Sequence, residues 1–245
     1  MLAWRNIAVR YRQAFLGVIW ALARPLATMI AFSVIFGRIA GLSGIPGAPY
    51  PMMVFSGVVL WQFFSGMVSG GCGVLVGNRG LVTKVYFPRI IIPVAGIMVC
   101  AVDFLLASAV FVVMYGWFCH GMISWRLAFL PLAVALLMPY ALGVVLILSA
   151  LNVRYRDFHH MIPFLLQLGL FISPVGFVGS AIPAPWRTAA WINPLYGVIG
   201  FARWSLFGFP VESGALVTAL LEGGLLFGFG LWVFRRQEKS FSDYI

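Results

Sequence analysis

The chain has 245 residues, of which 62% are hydrophobic and 9% charged, with a mean hydropathy of +1.02 and a formal net charge of +10. A soluble domain carries roughly 25% charged residues, so this chain lacks the polar surface that a hydrated exterior requires and reads as an integral membrane protein. Its apolar runs are continuous rather than alternating, which selects helices over a β-barrel; its basic residues sit in short gaps between those runs, where anionic lipid and membrane orientation explain them better than nucleic acid.

At helical spacing the N-terminal stretch MLAWRNIAVRYRQAFLGVIWALARP puts Trp4, Ile7, Ala8, Tyr11 and Phe15 on one face and Arg5, Arg12 and Gln13 away from it. A basic amphipathic helix over 1–21 that feeds straight into an apolar run reads as an interface helix on the cytoplasmic membrane surface. A signal peptide competes with this reading, but no small-residue cleavage site follows and the chain stays apolar.

Runs near the roughly 20 apolar residues that a span needs are expected at 22–39, 52–76, 90–119, 127–151, 161–178 and 214–234. GLSGIPGAP at 41–49 breaks the first from the second. Six spans put both termini on one side. Arg5, Arg10, Arg12, Arg79, Lys84, Arg89, Arg154, Arg156, Arg235, Arg236 and Lys239 fall on that side, against Arg38, Arg126, Arg187 and Arg203 on the other, with Arg24 near the start of span one. Basic residues favour the cytoplasm, so the termini and the 77–89 and 152–160 loops are expected there.

Small residues recur for helix packing: Ser65, Ser69, Gly73 and Gly77, beside Gly66 and Gly70, and then Gly224 and Gly228. These stripes serve either packing within the chain or a subunit interface. Between spans five and six, the 181–211 segment is too apolar for a solvated loop, yet Pro183, Pro185, Pro194 and Pro210 forbid one straight span. Asn193 followed by Pro194 is a helix start, so two short re-entrant helices dipping into the outer leaflet are expected.

Two acids fall inside spans, Asp103 and Glu222. Each reads either as a functional group, relaying protons or binding a cation, or as a hydrogen-bonded packing residue. His159 and His160 are adjacent and cannot both reach one metal from a helix face. Cys72, Cys100 and Cys119 stand singly and read as packing residues, so no metal site is expected. The chain's lysines are Lys84 and Lys239, neither preceded by glycine, so a phosphate-binding G-x-x-x-x-G-K-[ST] loop is absent.

Val-Arg-Tyr-Arg occurs at 9–12 and again at 153–156, inside the loop Asn152-Val-Arg-Tyr-Arg-Asp-Phe158. Both copies put Arg and Tyr at the cytoplasmic face, either as orientation signals or to dock a soluble partner. Trp61 and Phe64 share a face of span two, and Trp186, Trp191, Tyr196 and Trp204 cluster in the 181–211 segment. Such aromatics form interfacial belts, or line a path along which sugar rings slide.

VRYRQAFLGVIWALARPL at 9–26, NRGLVTKVYFPR at 78–89, ALNVRYRDFHHMIPFLLQLGLFISPV at 150–175, NPLYGVIGFARWSLFG at 193–208 and the tail RRQEKSFSDYI follow one another around the six spans. In these stretches the chain resembles the permease subunits of ABC exporters for cell-surface polysaccharides, the O-antigen, capsule and teichoic acid family. The resemblance implies an all-α permease that is one transmembrane domain over 1–245. It divides into the interface helix (1–21), spans one to five (22–180), an external gate segment (181–211), and span six with the tail (212–245).

The resemblance further implies a homodimer with a polymer channel between the copies, and two cytoplasmic ATPase subunits that hold ATP and Mg while this chain carries no cofactor. The cargo would be a lipid-linked polysaccharide crossing the bacterial inner membrane. Arg10, Arg12, Arg154, Tyr155, Arg156 and Asp157 become candidates for coupling to the ATPase. The rivals are an exporter of a drug or lipid, with a closed pocket in place of an aromatic-lined channel, an intramembrane glycan-processing enzyme using Asp103 or Glu222, and an uncoupled channel.

Overall fold

A computed structural model describes residues 8, 15–42, 48–80, 87–119, 124–155, 157–238 and 241. All regular elements among them are helices. Helix α1 (Phe15–Phe32) runs on into a π-helical turn, Ser33–Ile39, and ends at Gly41, whose φ of +68° suits the left-handed stop that glycine tolerates best. It is continuous through 21–22, where the expected interface helix would give way to span one. Most of that interface helix lies outside the described residues.

Helix α2 (Tyr50–Cys72) is the centre of the molecule. Of its most apolar window 78% is buried, against 17% for both the first and the last span, because α1, α3 (Ile91–Phe118), α4 (Leu130–Arg154), α5 (Phe158–Ile172) and α7 (Pro194–Phe207) all pack on it. It stops at Gly73, beside which the Asn152 side-chain amide of α4 donates to the Cys72 carbonyl at 3.2 Å. The three cysteines are buried, and the Cys72 thiol donates to the Leu148 carbonyl at 3.6 Å.

Among the described residues, five helical runs are long and apolar enough to cross a membrane: Ile19–Ile39, Tyr50–Cys72, Ile91–Phe118, Trp125–Arg154 and Ser213–Glu238. The last of these is α8. The expected fifth span is a 15-residue helix, α5, about 22 Å long against a hydrocarbon core of about 30 Å. It ends at Ile172 because Pro174 forces Ser173 into extended backbone, ψ 147°.

The small-residue stripes divide between the two roles. Gly66 and Gly70 pack inside the chain, where an added Cβ would stand 3.5 and 3.3 Å from Cys100 Sγ on α3. Gly224 and Gly228 face open space, and intrachain packing does not explain them. The tight approach of α4 to α8 uses other glycines: a Cβ on Gly143 would stand 2.5 Å from the Leu226 carbonyl, and one on Gly230 2.5 Å from the Gly143 carbonyl.

The 181–211 segment folds as two short helices, α6 (Ala184–Ala190) and α7. The Asn193 side chain accepts from the Leu195 amide at 3.1 Å with Pro194 at the first helical position, and Gly208, φ +79°, ends α7. Asn193→Ala is expected to cost about 1 kcal/mol, seen as a lower unfolding midpoint in detergent. At the opposite end of the bundle, Phe234 and Phe241 close a second apolar cluster with Leu75, Ile92, Leu146, Ala150 and Val153. There the Arg89 amide donates to Glu238 Oε1 at 3.0 Å and the Arg89 guanidinium to the Glu238 carbonyl.

Candidate functional site

Residues 61, 65 and 69 follow at one-turn spacing on α2, so Trp61, Ser65 and Ser69 look the same way. They face a cavity of about 950 Å³ lined by α1, α2, α3 and α5. Arg24 and Thr28 of α1, Gln62 of α2, Asp103 of α3 and Gln167 of α5 add to its polar lining, and Trp20 and Trp61 supply its indoles. Gln62 Nε2 donates to Thr28 Oγ1 at 3.3 Å, and that hydroxyl donates to the Arg24 carbonyl at 2.9 Å. Side chains from four apolar helices turned into one space are stable at membrane depth only around water or a polar cargo.

Trp61 and Phe64 are each 5% exposed and sit in the middle of α2, away from the ends where a belt would lie. Their rings are 5.6 Å apart, and Phe64 stacks on Tyr140 at 5.1 Å. Trp61 is also a wall of a second, largely apolar cavity of about 510 Å³ between α2, α4 and α5, which Phe64 lines as well. Gly169 lets α5 lie on the Trp61 indole, since a Cβ there would come within 2.7 Å of the ring.

The two intramembrane acids stand on different helices. Asp103 lines the larger cavity, whereas Glu222 lies on α8, within electrostatic reach of Tyr140, its Oε2 buried and, among the described residues, without a hydrogen-bond partner. Among the described residues no three His, Cys, Asp or Glu side chains are grouped to hold a metal. The His159 and His160 rings meet edge to face, 5.6 Å between centroids.

The aromatics of the 181–211 segment form no single cluster. Trp191 Nε1 donates to Glu212 Oε2 at 2.9 Å, and the Tyr196 hydroxyl reaches both Glu212 oxygens, at 3.1 and 3.2 Å. Burial, and then the Glu212 carboxylate, push the Tyr196 phenol up to about 12, which keeps it a donor. Trp204 faces elsewhere, packed on Phe129 at 5.7 Å and Phe201 at 5.4 Å with the Arg126 guanidinium over its ring. Trp186 is 69% exposed.

At the opposite end, α4 passes to α5 through residues 155–157 alone. Arg154 is exposed with its guanidinium over the Tyr155 ring, Tyr155 is 49% exposed, and Asp157 is exposed at the N-terminus of α5, where its negative charge suits the helix dipole. Arg10, Arg12 and Arg156 lie outside the described residues.

Sequence reasoning missed two residues here. Glu212 escaped because only acids within spans were weighed. Arg203 was counted as an external orientation charge, but it is 3% exposed, its guanidinium held by backbone carbonyls. An arginine in the middle of the apolar helix PLYGVIGFARWSLF was the available signal.

The profile of the ABC-2 type transporter membrane family matches residues 1–207. The chain belongs to the ABC-2 type transporter family. This ABC-2 chain is similar to an O-antigen export system permease protein RfbA of Myxococcus xanthus, 30% identical over 178 residues, 73% of this chain and 67% of that protein. A Klebsiella pneumoniae protein of the same name is 25% identical over 244 residues, covering 98% of this chain and 92% of its own. The polysialic acid transport protein KpsM of Escherichia coli is 26% identical over 247 residues, 96% and 92% of the two chains. Membership makes this ABC-2 protein a multi-pass membrane transport subunit, not an enzyme, and removes the glycan-processing alternative for Asp103 and Glu222.

Proposed function

We propose that this chain is the permease of an ATP-driven exporter that moves a lipid-linked, O-antigen-like polysaccharide across the bacterial inner membrane. Two copies flank one channel, and two cytoplasmic ATPase subunits supply ATP and Mg chemistry. The whole of 1–245 acts as one transmembrane domain with both termini cytoplasmic. It crosses the membrane six times, α5 being the short crossing, while the 1–21 helix lies on the cytoplasmic surface and α6 and α7 form the re-entrant external gate.

The observation that carries this reading is the cavity of about 950 Å³, where amide, hydroxyl, charged and indole groups from four helices meet. Hydroxyls and amides suit sugar hydroxyls, and indoles suit the apolar faces of sugar rings. Relatives named for O-antigen export and polysialic acid transport align along most of this chain, which supports a glycan cargo. Trp61 and Phe64 serve as lining of the path, and Trp186, Trp191, Tyr196 and Trp204 belong to its exit. Arg10, Arg12, Arg154, Tyr155, Arg156 and Asp157 meet the ATPase.

Purification of the detergent-solubilised chain from its native membrane, followed by an ATPase assay, tests the reading. A stoichiometric nucleotide-hydrolysing partner is expected; a chain that purifies alone and inactive overturns it. Alanine at both Asp103 and Glu222 is expected to leave ATP-driven export in place in protein that folds, measured as polymer delivered to the outer side of vesicles. Loss of export from a folded double variant would instead give these acids a part in transport.

A further inference from the structure

The turn after α5 is gripped from outside at three successive carbonyls. The Arg203 guanidinium of α7 donates to Val175 O at 2.8 Å and Phe177 O at 2.7 Å, and reaches Met53 O of α2 at 3.5 Å. Between those two captures, the Tyr50 hydroxyl at the start of α2 donates to the Gly176 carbonyl. A fourth tie, Asn193 Nδ2 to Ser173 Oγ at 2.9 Å, joins the same turn to the start of α7. Gly57 makes room for the arrangement, since a Cβ there would stand 3.1 Å from Val175 Cα and 3.2 Å from Arg203 Nη2.

A buried cation is costly, and among the described residues no carboxylate pairs with Arg203. Among the described residues its Nε also has no hydrogen-bond partner, so the group is placed for the carbonyls of the turn rather than for its own satisfaction. A planar guanidinium reaches acceptors on separate elements at once, whereas an ammonium offers a single point of charge.

We propose that Arg203, seconded by Tyr50, is a positioning residue for export: it clamps the 175–177 turn so that the external end of α5 and helix α7 move with α2 as one body. This rests on the export reading above, in which α5 walls the path and α6 and α7 close its exit. The turn is the covalent joint between those parts. Clamped, it passes a displacement of α5 to the exit; released, it absorbs that displacement locally.

The test uses the full chain in complex with its ATPase in a lipid bilayer, as wild type, Arg203→Met, Arg203→Lys and Tyr50→Phe. Two quantities are read: hydrogen exchange of the amides of Ser173, Val175, Gly176, Phe177 and Val178, and polymer exported per ATP hydrolysed. Arg203→Met is expected to speed exchange in the turn by about tenfold or more while α4 and α8 exchange as before. Export per ATP falls with hydrolysis retained, and Arg203→Lys lies between methionine and wild type.

Turn exchange within about twofold of wild type in Arg203→Met, or unchanged export per ATP, overturns the proposal. Should Arg203→Met fail to assemble, Tyr50→Phe, which removes one hydroxyl, decides by the same two readings. A wild-type complex that hydrolyses ATP but moves no polymer sinks the export reading, while the exchange measurement still decides the clamp.

Discussion

Gly143→Leu is expected to keep the chain from accumulating as folded protein. At Gly143 the backbone of α4 lies directly against that of α8, and the nearest atoms to an added Cβ are the Leu226 carbonyl group and the Phe227 amide nitrogen. Backbone cannot rotate out of the way as a side chain can, so the helices would have to separate, at a cost of about 3 kcal/mol or more. In lipid the loss is not offset by burial elsewhere, because close packing is what holds transmembrane helices together. Gly230→Leu should behave alike, since its neighbour is Gly143 itself. Gly224→Leu and Gly228→Leu, which meet nothing within 4 Å, are the matched controls and should leave monomer stability unchanged. Detergent-solubilised yield by size-exclusion chromatography, with thermal unfolding of whatever survives, checks all four.

Arg154→Glu combined with Arg156→Glu is expected to abolish coupling without unfolding the chain. Arg154 is exposed and stacks on an exposed Tyr155, so reversing its charge disturbs no core. If this link meets the ATPase, reversal sets like charges against whatever acids receive the arginines, and binding weakens by more than about tenfold. The purified variant should elute as the wild type does, yet retain little ATPase and no ATP-driven export. The structural reason to expect a large loss is the shortness of the link, since α4 ends at Arg154 and α5 begins at Phe158. A variant that binds its ATPase and exports normally would move the coupling surface to the N-terminal arginines.

The long spans were legible because lipid demands continuous apolar runs, and the helices fall within a few residues of the expected limits. The shortfall of α5 was also written locally, in Ser173 and Pro174, but a hydropathy run passes over a proline that the backbone cannot. Packing was less legible. Four-residue spacing shows that Gly224 and Gly228 form a stripe, not which helix they meet, and the close approach went instead to Gly143 and Gly230, from segments far apart in the chain.

Arg203 shows the same limit for charge. Its acceptors lie 26, 28 and 150 residues away, so nothing adjacent distinguishes a buried clamp from a charge facing water. In the candidate site, the aromatic residues of 181–211 were recognised by type, but their division between Glu212 and the Phe129–Trp204 side depends on α7 being buried nearly all round.

Helix α5 has one buried residue, Ile162, while Met161, Phe164, Leu165, Leu168, Phe171 and Ile172 are exposed. Its inner side packs on the core through Ile162, Leu166 and Leu170 and lays Gly169 against the Trp61 indole, whereas little of the core's stability depends on the residues that face away. Its outward-facing side chains are therefore free to diverge without unfolding the protein. On the export reading, change in cargo can accumulate at Pro163, Leu165, Gln167 and Ile172, which line the two cavities without being buried in the core.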